Sequence, residues 1–223
     1  MFPENGLIYQ LESREKTLEI SETVPNTEKV LCGEQRSTNT ISVVNKLSCL
    51  AKKHKIFVAA NVLDKQSCED MHLGDEVDKC PKDKYFVFNT AVLFDRDGKL
   101  LGKYHKMHPF GEMNLNPPPK EELVVFDTEL GRLGIQVCFD LIYNKPGAFL
   151  AQKNLVDTVL FPTWWFDEAP FLSASQYQMS WALSNKVNLL ASNIHLPEVL
   201  MNEFFGCFVI YKILGWLNGQ WSV

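Results

Sequence analysis

Apolar runs separated by turn signals are the clearest pattern in the chain. Continuous runs of strand length, rich in β-branched and aromatic residues, predict buried strands. These strands are predicted at residues 56–63, 85–94, 99–106, 123–126, 135–137, 157–161 and 188–193. Apolar residues at helical spacing predict helices over residues 39–55, 146–153 and 173–186. Because strands and helices alternate in the second half of the chain, the pattern indicates an α/β fold.

Polar segments connect these predicted elements. Residues 11–40 contain Pro25 and scattered charges, so they are expected to form a long irregular excursion on the surface. Three prolines at 117–119 prevent regular structure, and residues 107–121 are therefore expected to form a loop that walls a pocket. Gly131 and Gly134 are expected to form the turn of a hairpin whose second strand leads to Cys138.

Composition and charge narrow the class of protein. The 223 residues are 46% hydrophobic and 22% charged, which is typical of one globular domain with a sizeable core. A net charge of −5 gives no basic surface for nucleic acid or an anionic membrane. The apolar stretch 204–217 is shorter than the roughly 20 residues that a bilayer-spanning helix needs, so no membrane span is expected. Assembly into a homo-oligomer is left open.

Three separated residues supply the chemistry of amide cleavage. Cys138 stands where a buried strand gives way to polar residues, Lys106 follows a predicted strand, and Glu4 lies in a Pro-Glu-Asn-Gly turn. A free cysteine is often only a small buried hydrophobe, and a structural role for Cys138 is the alternative. Together, however, a carboxylate, an ammonium group and a thiol provide a base, an oxyanion stabiliser and a nucleophile.

Histidines offer a second interpretation of the thiol. His105 and His108 flank Lys106, and a Cys–His dyad would need one of them close to Cys138 in space. The ordered set of glutamate, lysine and cysteine accounts for more of the chain, so it is the preferred interpretation.

Four of the other cysteines are expected to form disulfides. Cys68 and Cys80 bracket a polar loop with little apolar content, which gains most from a covalent bridge, and Cys32 with Cys49 could make a second pair. Such bridges require an oxidising compartment. A zinc site built from Cys68, His72 and Cys80 is the alternative, although its spacing fits no common structural template.

Several segments resemble those of one enzyme superfamily. FPENGL, KYHK followed by FGE, GIQVCFD, VLFPTWW and LLASNIH resemble the glutamate, lysine and cysteine blocks and flanking strands of the nitrilase (carbon-nitrogen hydrolase) superfamily, in particular its vanin/biotinidase branch. The resemblance implies a four-layer αββα sandwich over residues 1–201, followed by a divergent apolar tail at 202–223. The domain is expected to be incomplete at both its N- and C-termini.

The resemblance also implies a mechanism, hydrolysis of a linear carboxamide through a cysteine thioester. Glu4 is expected to be the proton acceptor, Lys106 the proton donor and oxyanion stabiliser, and Cys138 the nucleophile. Glu112 corresponds to a second glutamate of the family that orients the lysine, and the backbone N–H of Phe139 is expected to complete the oxyanion site.

The implied substrate is a small-molecule amide. Pantetheine, cleaved to pantothenate and cysteamine, is expected first, and a biotinyl amide is the alternative. Trp164 and Trp165 either line the acyl pocket or belong to the core. Neither a metal nor an organic cofactor is required by this chemistry.

Members of this branch are secreted or membrane-anchored, but the chain as written begins MFPENG, without a recognisable signal peptide. It also contains no Asn-x-Ser/Thr sequon. Two other functions therefore remain open, a catalytically inactive incomplete family member and a secreted interaction module stapled by disulfides.

Overall fold

Two β-sheets packed face to face form the centre of the molecule, and helices cover their outer faces. The computed structural model describes residues 1–7, 13–26, 28–34, 42–71, 73–74, 79–166 and 173–194, and the backbone of 207–210. Over these residues the predicted αββα sandwich is confirmed.

The first sheet is antiparallel, with strand order β1-β4-β3-β2. Its strands are β1 (Lys29–Val30), β2 (Val58–Ser67), β3 (Tyr85–Phe94) and β4 (Lys99–His105). The long β2–β3 pairing matches Val58 with Phe94 and Ser67 with Tyr85. Helices α1 (Arg14–Ile20) and α2 (Val43–His54) belong to this half of the sandwich.

The second sheet is mixed, with strand order β5-β6-β7-β8-β9. Its strands are β5 (Val125–Thr128), β6 (Gly131–Ile135), β7 (Thr158–Pro162), β8 (Asn188–Ser192) and β9 (Cys207–Ile210). β6, β7 and β8 run parallel, while β5 and β9 pair with them antiparallel. Helices α3 (Phe149–Gln152) and α4 (Ala174–Asn185) connect the parallel strands.

Three apolar clusters correspond to the three interfaces between the four layers. Val44, Leu47 and Ala51 of α2 pack on the outer face of the first sheet. Trp181 and Ala182 of α4 pack on the outer face of the second. The layer between the sheets contains residues from both: Ala59, Ala91, Leu93, Tyr104, Phe126, Leu133, Ile135, Val137, Cys138 and Leu160. Cys138 therefore belongs to the central layer.

The prediction of an irregular excursion over residues 11–40 was wrong in part. Residues 14–20 form α1, which is capped by the Ser13 side chain accepting a hydrogen bond from the Lys16 N–H. Only Thr17 of this helix is buried, so the sequence lacks the apolar stripe that signals a helix. Residues 29–30 form β1. Residues 8–12, 27 and 35–41 lie outside the described part.

The hairpin that precedes Cys138 differs in detail from its prediction. Gly131 and Gly134 lie inside β6 and not in the turn, which falls at Glu129 and Leu130 between β5 and β6. Gly131 has a φ of 97°, which only glycine adopts without strain. A Cβ on Gly134 would come within 3.0 Å of Val156, so close packing also explains this second glycine.

Candidate active site

Glu4 reaches the interior from a turn at the start of the chain. The Phe2 N–H donates to the Ala59 carbonyl of β2 at 2.9 Å, and the Gly6 N–H donates to the Pro3 carbonyl at 3.2 Å. These bonds fold the Pro-Glu-Asn-Gly segment against the first sheet. The Glu4 side chain is consequently buried, with a relative exposure of 2%.

Lys106 follows β4 directly, and its N–H donates to the Asn89 carbonyl of β3 at 2.8 Å. Its side chain is buried between two carboxylates. The Nζ atom donates to Glu4 Oε1 and to Glu112 Oε2, both at 2.7 Å. The structure thus brings together three residues that are separated by up to 108 positions in the sequence.

Asn89, for which the sequence offers no motif, links the same two carboxylates. Its Nδ2 donates to Glu4 Oε1 at 2.8 Å and to Glu112 Oε1 at 2.6 Å. Its Oδ1 accepts from Asn61 Nδ2 at 2.5 Å, and Asn61 Oδ1 accepts from the Asn5 N–H at 2.9 Å. A polar residue in the middle of a buried strand was the only available signal, since buried amides need partners.

Cys138 lies just beyond the carboxyl end of β6, at the first position of a short 3-10 turn, Cys138–Ile142. Its φ is 44°, an uncommon value for a residue with a side chain, so the backbone turns sharply at Cys138. Asp140 supports the turn, because its Oδ2 accepts from the Val137 N–H at 3.0 Å and from the Tyr104 hydroxyl at 2.8 Å. Cys138 is a free, buried cysteine.

The thiol contacts the loop after β7 as well as the charged residues. Cys138 Sγ lies 3.5 Å from the Trp164 carbonyl oxygen, and the Trp164 N–H donates to Glu4 Oε2 at 3.0 Å. Glu4 and Cys138 are close enough for each to affect the ionisation of the other. The three sequence-predicted residues therefore share one site.

The electrostatics of the site keep the resting thiol protonated. Burial raises the pKa of Cys138, and the negative charge of Glu4 raises it further, while Lys106 opposes both. Burial also raises the pKa of Glu4, although the ammonium group of Lys106 works against that shift. For Lys106, burial alone would lower the pKa, but interaction with Glu4, Cys138 and Glu112 raises it above the usual lysine value.

A mostly apolar cavity of about 250 Å³ opens at Cys138. Its walls are formed by Phe110, Phe139, Ile142, Trp164, Trp165, Phe166, Ser173 and Tyr177. Both tryptophans thus line the cavity, and Trp165 also packs against the cores on both sides of the second sheet. No charged side chain is among the described residues of these walls.

The two histidines near Lys106 are engaged elsewhere. His105 is held between two carboxylates, with Nδ1 2.7 Å from Glu122 Oε1 and Nε2 3.0 Å from Asp64 Oδ2. His108 Nδ1 lies 2.8 Å from Asp140 Oδ1. Because both ring nitrogens of His105 already have carboxylate partners, this histidine is unsuited to serve as the base for Cys138.

Four of the other five cysteines pair as expected. The structure contains the Cys32–Cys49 and Cys68–Cys80 disulfides, with Cα–Cα distances of 4.7 and 6.0 Å. Bridged sulfurs leave no thiolates for the alternative zinc site, and His72 lies outside the described residues. Over the described parts of the chain, no group of three side chains is placed to bind a metal, and no helix is long and apolar enough to cross a membrane.

Comparison with known proteins identifies the family of this chain. The family model for carbon-nitrogen hydrolases matches residues 1–184. The chain is 40% identical over 202 residues to a pantetheinase of Canis lupus familiaris and 35% identical over 205 residues to a biotinidase of Takifugu rubripes. These alignments cover 89% and 90% of the chain, but only 38% and 40% of the two relatives.

The fold is also similar to a solved structure. Nit3 of Saccharomyces cerevisiae, described as a member of branch 10 of the nitrilase superfamily, superposes with a TM-score of 0.62 at 22% identity, covering 89% of this chain and 63% of Nit3. Since the family model spans most of the sequence, the chain belongs to the carbon-nitrogen hydrolase family.

Proposed function

We propose that this protein hydrolyses the C–N bond of a linear carboxamide, with Cys138 as the nucleophile. One observation carries the proposal: a buried glutamate and a buried lysine lie beside a free cysteine that lines an apolar cavity. These groups have no evident purpose in a merely structural core, because burying charged side chains is costly.

In the first half of the reaction, the Glu4 carboxylate accepts the thiol proton as Cys138 Sγ attacks the amide carbonyl carbon. Lys106 and the backbone N–H of Phe139 stabilise the resulting oxyanion. The oxyanion then collapses and the C–N bond breaks. Glu4 returns the proton to the leaving amine, and a thioester remains on Cys138.

In the second half, water attacks the thioester and transfers its proton to Glu4. The C–S bond breaks, the carboxylic acid leaves, and the thiol of Cys138 is restored with that proton. Glu112 and Asn89 do not contact the reacting atoms in this scheme. Their contacts to Glu4 and Lys106 instead hold the base and the ammonium group in place.

The substrate we propose is pantetheine, with a biotinyl amide as the second candidate, since relatives of both kinds are similar over most of the chain. The aromatic walls of the cavity favour an uncharged acyl group. The chain spans about 38% of the length of the pantetheinase. The substrate of the whole protein is therefore proposed here and not taken over from that relative.

The test is the release of free amine from pantetheine and, in parallel, from a biotinyl amide. Cys138→Ala should abolish turnover, whereas Lys106→Ala should leave a residual rate roughly 10²- to 10³-fold below wild type, the usual loss for one oxyanion donor. Unfolding curves of both variants serve as the control, because Lys106→Ala also leaves two buried carboxylates without their cation.

Undiminished turnover in Cys138→Ala would refute the mechanism. A folded wild-type protein that releases amine from neither substrate would favour an inactive family member or an interaction module.

A further inference from the structure

The alignment of neighbouring parallel strands brings a threonine next to the nucleophile. β6 and β7 pair Leu133 with Thr158 and Ile135 with Leu160, and the Gln136 N–H continues the ladder by donating to the Leu160 carbonyl at 3.1 Å. Cys138 lies just beyond the end of β6 and Thr163 just beyond the end of β7, so both residues lie at the same end of these neighbouring parallel strands. The next residue after Thr163 is Trp164, whose carbonyl oxygen lies 3.5 Å from Cys138 Sγ.

The Thr163 hydroxyl is buried and has no hydrogen-bond partner among the described atoms. Thr163 has a relative exposure of 0%, and its Oγ1 makes no hydrogen bond in the resting site. Its backbone is fixed, because the Thr163 N–H donates to the Ser192 carbonyl of β8 at 2.9 Å. A buried hydroxyl without a partner is costly, and it therefore calls for an explanation.

The reaction cycle supplies an explanation for this buried hydroxyl. A neutral thiol is a weak acceptor, but the thiolate is negatively charged and accepts hydrogen bonds strongly. Interaction with the Thr163 hydroxyl lowers the pKa of Cys138, in opposition to burial and Glu4, which raise it. Thr163 is fully buried and is not among the described residues that line the cavity.

We propose that the Thr163 hydroxyl donates a hydrogen bond to the Cys138 sulfur when the thiol proton passes to Glu4, which makes Thr163 a further catalytic residue. This inference rests on the proposed function for the identity of the nucleophile. No covalent bond of Thr163 changes. The hydroxyl keeps its proton throughout, and its hydrogen bond weakens again when sulfur is acylated and loses its charge.

The test measures the reactivity of the Cys138 sulfur directly and needs no amide substrate. Alkylation of Cys138 by iodoacetamide is followed as a function of pH in wild type, Thr163→Val and Thr163→Ser, with the modified site located by mass spectrometry. Cys138→Ala gives the background. Valine has nearly the same shape as threonine without the hydroxyl, and serine retains the hydroxyl without the methyl group.

We expect Thr163→Val to react about tenfold more slowly at neutral pH, which corresponds to a thiol pKa raised by about one unit. Thr163→Ser should remain within about threefold of wild type, since a single retained hydroxyl preserves the charge-assisted bond. If the valine variant does not fold, Thr163→Ala provides the same comparison.

Two results would overturn the proposal: equal alkylation profiles for wild type and the variant without the hydroxyl, or equal slowing in valine and serine variants. The second would assign the effect to altered packing around residue 163, because the serine variant retains the hydroxyl. A shifted alkylation profile in a protein that cleaves neither amide would support the role of Thr163 and refute the proposed hydrolase, so the two failures are distinguishable.

Discussion

The ionisation of Cys138 depends on a small number of neighbouring residues with opposite effects. Glu4 disfavours a negative charge on sulfur, and Lys106 favours it. Glu4 in turn is surrounded by donors, since its two oxygens accept from Lys106, Asn89 and the Trp164 N–H. These bonds favour the charged carboxylate, but burial outweighs them and raises the pKa of Glu4. The pKa of Glu4 therefore reflects burial, opposed in part by its hydrogen-bond partners.

The pH dependence of turnover should reveal the effect of Asn89 on the pKa of Glu4. In the proposed mechanism Glu4 must be ionised to accept the proton. Because burial raises its pKa above the ordinary 4.5, we expect activity to fall on acidification already above that pH. Asn89→Leu removes one donor from the carboxylate. The acid limb of kcat/KM should therefore move to higher pH by about one unit, the usual scale for a hydrogen bond to a charged group.

The exposed Asn26 provides the matched control, since Asn26→Leu lies outside this network and should leave the acid limb unchanged. A uniform loss of activity in Asn89→Leu, without any movement of the limb, would indicate a purely structural role for Asn89.

Some residues of the site could be selected from the sequence, and others could not. Cys138, Lys106 and Glu4 could be selected because few side chains perform their chemistry, and the motifs around them are distinctive. Asn89 and Thr163 could not. Both occur inside apolar strands, where an amide or a hydroxyl is usually satisfied locally, and only the fold reveals what each of them faces.

The loop between β4 and β5 supplies a carboxylate that holds Lys106 in the site. It carries Glu112, and the Phe110 N–H donates back to Glu112 Oε2 at 3.0 Å, so the loop itself shapes the carboxylate that holds Lys106. Helix α1 fastens this loop from outside. Arg14 donates to the Asn114 carbonyl at 2.8 Å and to Asn116 Oδ1 at 3.0 Å, and it also bonds Asp83 and the Tyr85 carbonyl.

Replacement of Arg14 by lysine should loosen this attachment. Lysine keeps the charge but loses the planar group that bonds four partners at once, so we expect the free energy of unfolding to fall by about 1–3 kcal/mol. Urea titration measures this fall in the free energy of unfolding. Arg96→Lys is the control, because Arg96 and Glu129 form an ion pair with half-exposed side chains, 50% and 58%, which should be worth less than about 1 kcal/mol.

If Arg14→Lys is no more destabilising than Arg96→Lys, α1 does not fasten the loop. This contact was not predictable, because residues 11–40 showed too little apolar periodicity to reveal a helix. By contrast, the sequence pattern predicted β3 to the residue, because all of its positions except the first are buried, and it predicted α4 to within one residue at each end.

At the scale of the whole molecule, a buried charge cluster joins the first sheet to the long loop. His105 lies between Asp64 of β2 and Glu122 at the end of the loop, and Lys103 also bonds Asp64. Burial lowers the pKa of His105, but the two carboxylates outweigh burial and raise it above the usual 6.5. Burial raises the pKa of Asp64, but His105 and Lys103 outweigh burial and hold this pKa below 3.8.

The two shifts predict a window of greatest stability. The raised pKa of His105 stabilises the fold below pH 6.5, and this contribution is lost as pH rises through the folded value. The lowered pKa of Asp64 stabilises the fold above pH 3.8, and this contribution is lost on acidification. Urea unfolding at constant ionic strength should therefore show His105-dependent stability between about pH 4 and 6.5.

His105→Gln should flatten the decline in stability above pH 6.5, whereas His54→Gln, at the exposed end of α2, should leave it unchanged. A wild-type stability that does not fall above pH 6.5, or an unaltered decline in His105→Gln, would contradict the assignment.

The sandwich was predictable as a class from alternating elements and from the resemblance of its motifs, but its assembly was not. Nothing local in FPENGL indicates that it folds against β2, and a surface turn would be equally consistent with its residues. Long-range pairing decides these positions, and the sequence pattern records only local periodicity. The tail at 202–223 stays a prediction, although Cys207–Ile210 adds an antiparallel strand beside β8.

The burial of Cys138 has a consequence for the chemical durability of the protein. Two disulfides suit an oxidising environment, where an exposed thiolate would be converted to sulfenic acid and then to irreversible products. Cys138 has a relative exposure of 6%, and its raised pKa keeps the sulfur protonated at rest. Peroxide therefore meets a protonated, slowly reacting thiol, and in the proposed mechanism the sulfur is most vulnerable during the brief part of each turnover in which Glu4 holds its proton.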